Sequence, residues 1–375
     1  MRDPRRLRLG EHHVDLSLWP GAVDTLPTAL DRAAATRPLI VIDELVHPHL
    51  GRRIDDLLHR RQATVTTAVA SERHKLLAQV ATLAELGAES DAVVAVGGGT
   101  TGNLAGTLAH LLGFGVPLIH VPTTVTSIVD AAISARHTLN TRSAKSTLGV
   151  HHLPSAILAD PTLLASLPAH QWAEGAVEAV KAAFVAGGTR ATQLAARLTA
   201  LNGPVADLDE LAELLGVAVE LKLHTIADDP TERGPAVALH YGHTFARAIE
   251  TLTDGTISHG RAVATGMRAA AGTAERLGLI TRAERQQHDE LIRHIGLSPV
   301  DLRTIPSEHL LRLMTNDPKA RIVRPVRGIP LVLIDRIGHA YVSPESGLPV
   351  TAVPEAVAAA ALGGLHPQVR TGELP

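Results

Sequence analysis

The sequence predicts an α/β chain in two parts, an N-terminal doubly wound parallel sheet followed by an all-α C-terminal domain. Two observations predict the first part. Short apolar runs alternate with helix-patterned segments through residue 162, as βαβ units require. One of these runs, 91–96, passes straight into Gly97-Gly98-Gly99 and then into a helical pattern. A third observation predicts the second part: from about residue 163, Ala/Leu-rich segments of 3.6-residue periodicity follow one another. The expected boundaries are 1–162 and 163–364, with a disordered tail over 365–375.

The strands expected are 38–43, 63–69, 91–96, 116–122 and 156–160, all short and apolar, with helices 73–87 and 102–113 between them. In the second part, helices are expected over 170–186, 189–201, 207–227, 238–253, 259–277 and 281–295. Gly187-Gly188, Gly203-Pro204 and Gly234-Pro235 punctuate them. A strand pair, 329–334 with 340–342, is expected to close the chain, and His47 and His49 fall in an expected loop around Pro48.

Composition excludes several function classes. Aromatic residues make up only 2% of the chain, so its cores must be built from Ala, Val, Leu and Ile. A net charge of −3, without interleaved basic and aromatic residues, gives no surface for nucleic acid. No cysteine is present, which excludes disulfides, thiolate catalysis and zinc fingers and fits a reducing cytoplasm. No apolar run approaches the 18 residues of a membrane span, and no apolar stretch follows the charged N-terminus. A soluble cytoplasmic protein is expected.

Two motifs carry chemistry. Glycines after a buried strand let backbone amides approach a pyrophosphate, and the helix start adds a favourable dipole. Gly97-Gly98-Gly99 is therefore a candidate nucleotide cradle, although a tight turn without a ligand would use the same residues and the spacing is not GxGxxG. His243 in Tyr-Gly-His-Thr, His259 in Ser-His-Gly and Glu178 in Glu-Ala-Val-Lys offer two imidazoles and a carboxylate. That is the ligand set of an open catalytic metal site. Alone it is weakly specific, because 21 histidines allow chance pairs.

The ordered set of motifs is more specific. Gly97-Gly98-Gly99, Val121-Pro122-Thr123-Thr124, Val129-Asp130, Glu178-Ala179-Val180-Lys181, Gly242-His243-Thr244 with Ala248-Ile249-Glu250, and Ser258-His259-Gly260 follow one another at compatible spacings. In these motifs the chain resembles the sugar phosphate cyclases, whose best-known member is 3-dehydroquinate synthase. The resemblance runs from about Asp43 to about Lys319. It implies an NAD-binding N-terminal domain, a helical metal-binding domain, an active site in the cleft between them, and a homodimer. Carried over residue by residue, it implies Glu178, His243 and His259 as ligands of zinc, with cobalt as an alternative. Asp43, Glu72, Lys75, Gly97, Gly98, Gly99, Thr123, Thr124 and Asp130 match cofactor-contacting positions, with Lys145 close by; Asn103 is also assigned to the cofactor, standing where the family's glycine loop has an aspartate. Lys181 and Lys222 match substrate-contacting lysines. The implied reaction is transient oxidation of a sugar phosphate, phosphate elimination, re-reduction and intramolecular aldol closure to a carbocycle.

The departures from the family pattern concentrate on the substrate side. Phe114 stands where an arginine reaching the partner's site is usual, Arg136 replaces a lysine, and Ser146 replaces an asparagine. Ala236 replaces an arginine, His240 an asparagine, Arg247 the second histidine of Gly-His-Thr-x-Gly-His, and Pro318 the first lysine of Asp-Lys-Lys. Loss of the arginine fork at Ala236 argues against an acidic heptulosonate. Sedoheptulose 7-phosphate or a related sugar phosphate is expected instead, in cyclitol or antibiotic metabolism, in an enzyme nearer the C7-cyclitol or 2-deoxy-scyllo-inosose synthases. Arg136, Arg247 and His240 are candidates for a rebuilt phosphate site, though an arginine at such a position can also be merely solvated. Two alternatives stay open: a metal-dependent polyol or glycerol-1-phosphate dehydrogenase, and an inactive homologue serving as a binding partner.

Overall fold

The computed structural model describes residues 2–141, 145–298, 300–323 and 327–365, so all but the first residue of the expected tail lies outside the described residues. Two compact units are present: Met1–Ala183 with Gln193–Ala236, and Phe184–Thr192 with Val237–Pro375.

The first unit is built on strands β1 (Arg5–Leu9), β2 (His12–Leu18), β3 (Pro38–Asp43), β4 (Thr64–Ala68), β5 (Ala92–Gly97), β6 (Leu118–Pro122), β7 (Arg136–Leu139), β8 (Leu148–His151) and β9 (Ala156–Ala159). Seven of them form one sheet in the order β1-β2-β9-β6-β5-β3-β4, parallel except for the edge strand β1; β7 and β8 pair separately. Side chains alternate across a strand, so each central strand feeds two cores. Ile40, Ile42, Val94, Val96, Ile119 and Val121 face one cluster, with Leu26 and Leu30 of α1 (Leu26–Arg32) and Leu50 and Ile54 of α2 (His47–Leu58). Leu39, Val41, Val93, Ala95 and Leu118 face the other, with Val80 and Leu83 of α3 (Leu77–Leu86) and Leu104 and Leu108 of α4 (Gly99–Leu111). Burial of each such side chain is worth roughly 1.5–3 kcal/mol, which is why these runs are apolar throughout rather than alternating.

Four of the departures from the sequence expectation are instructive. The β1–β2 hairpin was not expected, because Arg-Arg-Leu-Arg-Leu and His-His-Val-Asp-Leu carry polar residues on the solvent side. His47 and His49 begin α2 instead of lying in a loop; Pro48 sits in the first turn, where its missing N–H costs nothing. The run 329–334 is not one strand. Ile329–Leu331 (β10) pairs with Thr351–Val353 (β13), and Ile334–Arg336 (β11) with His339–Ala340 (β12), since a buried apolar run does not itself specify a partner. Most of α6 (Ala169–Ala186), part of α7 (Ala191–Leu198) and all of α8 (Leu208–Ile226) belong to the compact unit that holds the sheet. Helical periodicity reports local conformation, not the packing partner.

The second unit packs α9 (His243–Leu252), α10 (His259–Arg276), α11 (Arg282–His294), α12 (Ser307–Thr315), α13 (Ala320–Val323) and α14 (Glu355–Gly363). Thr281 and Glu284 form a reciprocal capping box that starts α11. Gly242, at φ 77°, starts α9, and a Cβ there would lie 2.7 Å from the Met267 amide nitrogen of α10.

Gly175 holds α6 against the short helix α5 (Val125–Val129): a Cβ there would overlap the Val125 side chain and lie 2.7 Å from the Thr126 amide nitrogen. Alanine in a helix normally gains about 1 kcal/mol over glycine, whereas overpacking costs about 1–3 kcal/mol. The clash is with backbone, so Gly175→Ala is predicted to lower the unfolding free energy measured in urea, against its helix propensity. An unchanged or higher value contradicts this packing.

His120 on β6 and His137 on β7 are buried against α4. Burial, reinforced by neighbouring histidines, holds His120 down at about 3. Burial likewise holds His137 at about 4, although its bond to the His152 carbonyl opposes the shift. Both values lie below the ordinary 6.5, so the unfolded chain binds protons first as pH falls. Stability from these groups is complete above pH ~6.5 and is lost at up to about 1.4 kcal/mol per pH unit per histidine below it. Urea unfolding between pH 7 and 5 tests this; a profile equally steep in His120→Asn would contradict it.

Candidate functional site

In the first unit, the sheet order reverses between β3 and β5, and a doubly wound sheet binds ligands at the carboxyl ends of the strands flanking that point. Asp43 ends β3 and Gly97 ends β5, side by side, with Gly98 and Gly99 leading into α4. Gly97 is required by packing, since a Cβ there would lie 2.5 Å from Thr101 Oγ1 and 3.0 Å from Asp43 Cβ. Gly98 caps the N-terminus of α4. Thr123 donates its amide to the Gly97 carbonyl at 3.0 Å, and its buried Oγ1 has no hydrogen-bond partner among the described residues. Thr124 caps α5 by accepting from Ser127 N at 3.1 Å. A cradle of glycines, a helix N-terminus and a buried hydroxyl without a partner fits the phosphates of a dinucleotide.

Glu72 lies beside this cradle. Its carboxylate meets Lys75 Nζ at 2.8 Å and Lys145 Nζ at 3.8 Å, and accepts from Asn140 Nδ2 at 3.2 Å. Burial pushes the Glu72 carboxyl up, but the two lysines and Asn140 outweigh it and hold the pKa below the usual value. Asp43 shows the opposite balance, with burial raising its carboxyl despite the bond from Leu45 N. Asn103 Nδ2 donates to the Gly99 carbonyl at 2.7 Å and Oδ1 accepts from Thr138 N at 2.5 Å, so its amide ties β7 to α4.

A second group of charges in this unit is mostly buried, with Arg136 and Asp130 partly exposed. Lys181 pairs with Glu178 one turn away on α6, and Lys222 of α8 pairs with the Asp130 side chain and donates to its carbonyl at 2.7 Å. Arg136 lies 3.1 Å from Glu232, which also accepts from Ser134 Oγ at 3.2 Å. Burial would neutralise Lys181, yet Glu178 and Asp130 outweigh it and raise its pKa, so it is an ammonium at neutral pH. Burial likewise opposes ionisation of Asp130, but Lys222 and Lys181 hold it far below the usual carboxylate range. Asp229 presents Glu232 by accepting from Arg233 N, Gly234 N and Ala236 N, which folds the 229–236 loop into a fixed turn. Ala236 is fully buried.

In the second unit, His243 and His259 open successive helices, with ring centroids 5.5 Å apart. His243 Nδ1 is 3.2 Å from the Tyr241 carbonyl, and His259 Nδ1 is 3.4 Å from Glu250 Oε2. Carbonyl and carboxylate only accept, an arrangement that favours hydrogen on each Nδ1 and leaves Nε2 as the nitrogen suited to a metal. His240 lies with its ring centroid 6.0 Å from that of His243. Arg247 is held 3.1 Å from Asp317, whose other oxygen accepts from Lys319 Nζ at 2.7 Å. Burial would raise the Asp317 carboxyl, but these cations hold it far below the usual range. Glu178, His243 and His259 are a candidate metal-ligand set, each offering one ligand atom.

Residues 65–174 match the N-terminal and 175–320 the C-terminal model of 3-dehydroquinate synthase. A 2-deoxy-scyllo-inosose synthase of Streptoalloteichus tenebrarius is 33% identical over 359 residues, 94% of this chain and 92% of that protein. The chain belongs to the 3-dehydroquinate synthase family of sugar phosphate cyclases. Two solved structures share the family fold. A 2-deoxy-scyllo-inosose synthase complexed with carbaglucose-6-phosphate, NAD+ and Co2+ superposes with a TM-score of 0.85 at 23% identity, covering 96% of this chain and 99% of that one. A 2-epi-5-epi-valiolone synthase from Streptomyces hygroscopicus with NAD+ and Zn2+ bound gives 0.80 at 24% identity, over 96% and 98%.

Within this member of the family, the structure adds residues that sequence reasoning did not single out: Asn140, Glu232, Asp317 and Lys319. Each is polar and buried: Asn140 meets Glu72, Glu232 meets Arg136, and Asp317 meets Arg247 and Lys319. Asp317 and Lys319 flank Pro318 in the altered Asp-Lys-Lys motif, where neither had been given a role. The signal available was a charged or amide residue close to a motif, too common to act on without coordinates.

Removing the partner that orients a metal-binding histidine typically costs 10–100-fold in affinity. Glu250→Gln is therefore predicted to weaken divalent-metal binding by about 10-fold or more in chelator competition; unchanged affinity would show that Glu250 does not orient His259.

Proposed function

We propose that the chain is an NAD- and divalent-metal-dependent cyclase that converts a sugar phosphate lacking a carboxylate, such as sedoheptulose 7-phosphate, into a carbocycle by transient oxidation, phosphate elimination, re-reduction and aldol closure. Residues 1–162 serve the cofactor and 163–364 the metal and substrate, in a cytoplasmic homodimer of cyclitol or antibiotic metabolism. The names of its relatives and the ligands of the two solved structures support this reading. Glu178, His243 and His259 hold the metal; Asp43, Gly98, Gly99, Thr123 and Thr124 hold the NAD. When bound, the metal supplies Lewis acidity toward a hydroxyl or carbonyl and NAD a reversible hydride acceptor.

The chain's own residues do the rest. Lys181, buried beside Glu178 and one turn from it on α6, is placed to stabilise developing negative charge on oxygen. Lys222 is held by Asp130 in the same way. The observation that carries the substrate class is Ala236: fully buried at the end of the Asp229-organised loop, it leaves no guanidinium there to take a carboxylate.

The test is to incubate metal-loaded protein and NAD with a panel of heptulose and hexose phosphates. Phosphate release without net NADH, lowered about 100-fold or more by Lys181→Ala, is the predicted outcome. Sustained NADH release identifies a dehydrogenase instead. Complete inertness, with metal content unchanged in Glu178→Ala, refutes both the reaction and the ligand set.

A further inference from the structure

We propose that Tyr241 and His288 are positioning residues for the metal ligand His243, acting through a buried Tyr–His–Asp chain that sets its ring and tautomer. This rests on the reading of His243 as a metal ligand. Tyr241 is fully buried, and its hydroxyl lies 3.3 Å from the Met267 carbonyl of α10 and 3.2 Å from His288 Nε2 of α11. The His288 ring, also fully buried, stacks on Phe184 with centroids 4.3 Å apart, and its Nδ1 faces Asp289 Oδ1 at 3.4 Å. Arg285 anchors the other Asp289 oxygen through Nε at 3.0 Å and Nη2 at 2.7 Å.

The far end of this chain is the Tyr241 backbone, whose carbonyl lies 3.2 Å from His243 Nδ1. Between the two residues stands Gly242, at φ 77° and pressed against the Met267 backbone, so the link has no slack. A tyrosine ring pinned at its hydroxyl therefore fixes the carbonyl that holds His243. The same hydroxyl touches α10, the helix that His259 begins. Packing alone does not call for these groups, since phenylalanine and leucine would fill the same space without the cost of burying a hydroxyl and an imidazole. What the polar chain adds is direction.

The test measures zinc affinity by chelator competition and the d–d absorption of the cobalt-loaded protein, beside the melting of the metal-free protein. Tyr241→Phe keeps the ring and removes only the hydroxyl. It is expected to weaken metal binding about 10–100-fold and to shift the cobalt bands. His288→Leu is expected to do the same, while His288→Gln, whose amide can meet the Tyr241 hydroxyl, recovers most of the affinity. Lower melting temperatures with unchanged affinity and cobalt bands in Tyr241→Phe and His288→Leu would overturn the proposal, leaving the chain a purely structural element. If Tyr241→Phe does not fold, the two His288 variants decide by the same readouts. His243→Ala is the control: metal uptake surviving in it refutes the ligand reading itself, separately from the positioning role.

Discussion

The constraint on which the rest of the structure depends is the pairing of buried charge. Lys181 with Glu178, Lys222 with Asp130, and Arg136 with Glu232 bring three cations and three carboxylates together in the first unit, four of the six with almost fully buried side chains. An isolated ion there would cost several kcal/mol and would lose its charge by titration instead. Paired, each keeps it: Lys181 is held protonated and Asp130 ionised although burial opposes both. The helices that carry the pairs must therefore keep their register, and the close approach of α6 to α5 at Gly175 serves that requirement. In the second unit, Asp317 between Arg247 and Lys319 follows the same rule.

This balance bears on chemistry. Ionised groups fixed before a substrate arrives need no reorganisation when charge develops on it. The three pairs sum to zero, so this group offers polarised contacts instead of a net positive field. Arg247, the main departure from the family's histidine motif, is thus a charge already anchored by Asp317, not a loose solvated side chain.

Much of the fold was legible in the sequence, for physical reasons. β3, β5 and β6 are buried on both faces, so their composition alone marks them. The β1–β2 hairpin was not legible because half of its residues face solvent and carry charge. The glycine turn with Thr123 and Thr124, and the two histidines, could be singled out as a set because their order along the chain is informative. Glu232 and Asp317 were not, since what makes them matter is the cation each meets: Arg136, 96 positions earlier, and Arg247, 70 positions earlier. The Tyr241–His288 bond spans 47 positions and has no local sequence signature at all.

The central claim is that the site oxidises and then reduces the same substrate. A single turnover of metal- and NAD-loaded protein with the sugar phosphate that releases phosphate, followed by absorbance of the reduced nicotinamide, tests it most directly. The account predicts a signal that rises and decays to zero while one phosphate is released per active site. Reduced nicotinamide that accumulates and persists in proportion to substrate consumed, or product formed without any such transient under conditions that resolve each step, would contradict it.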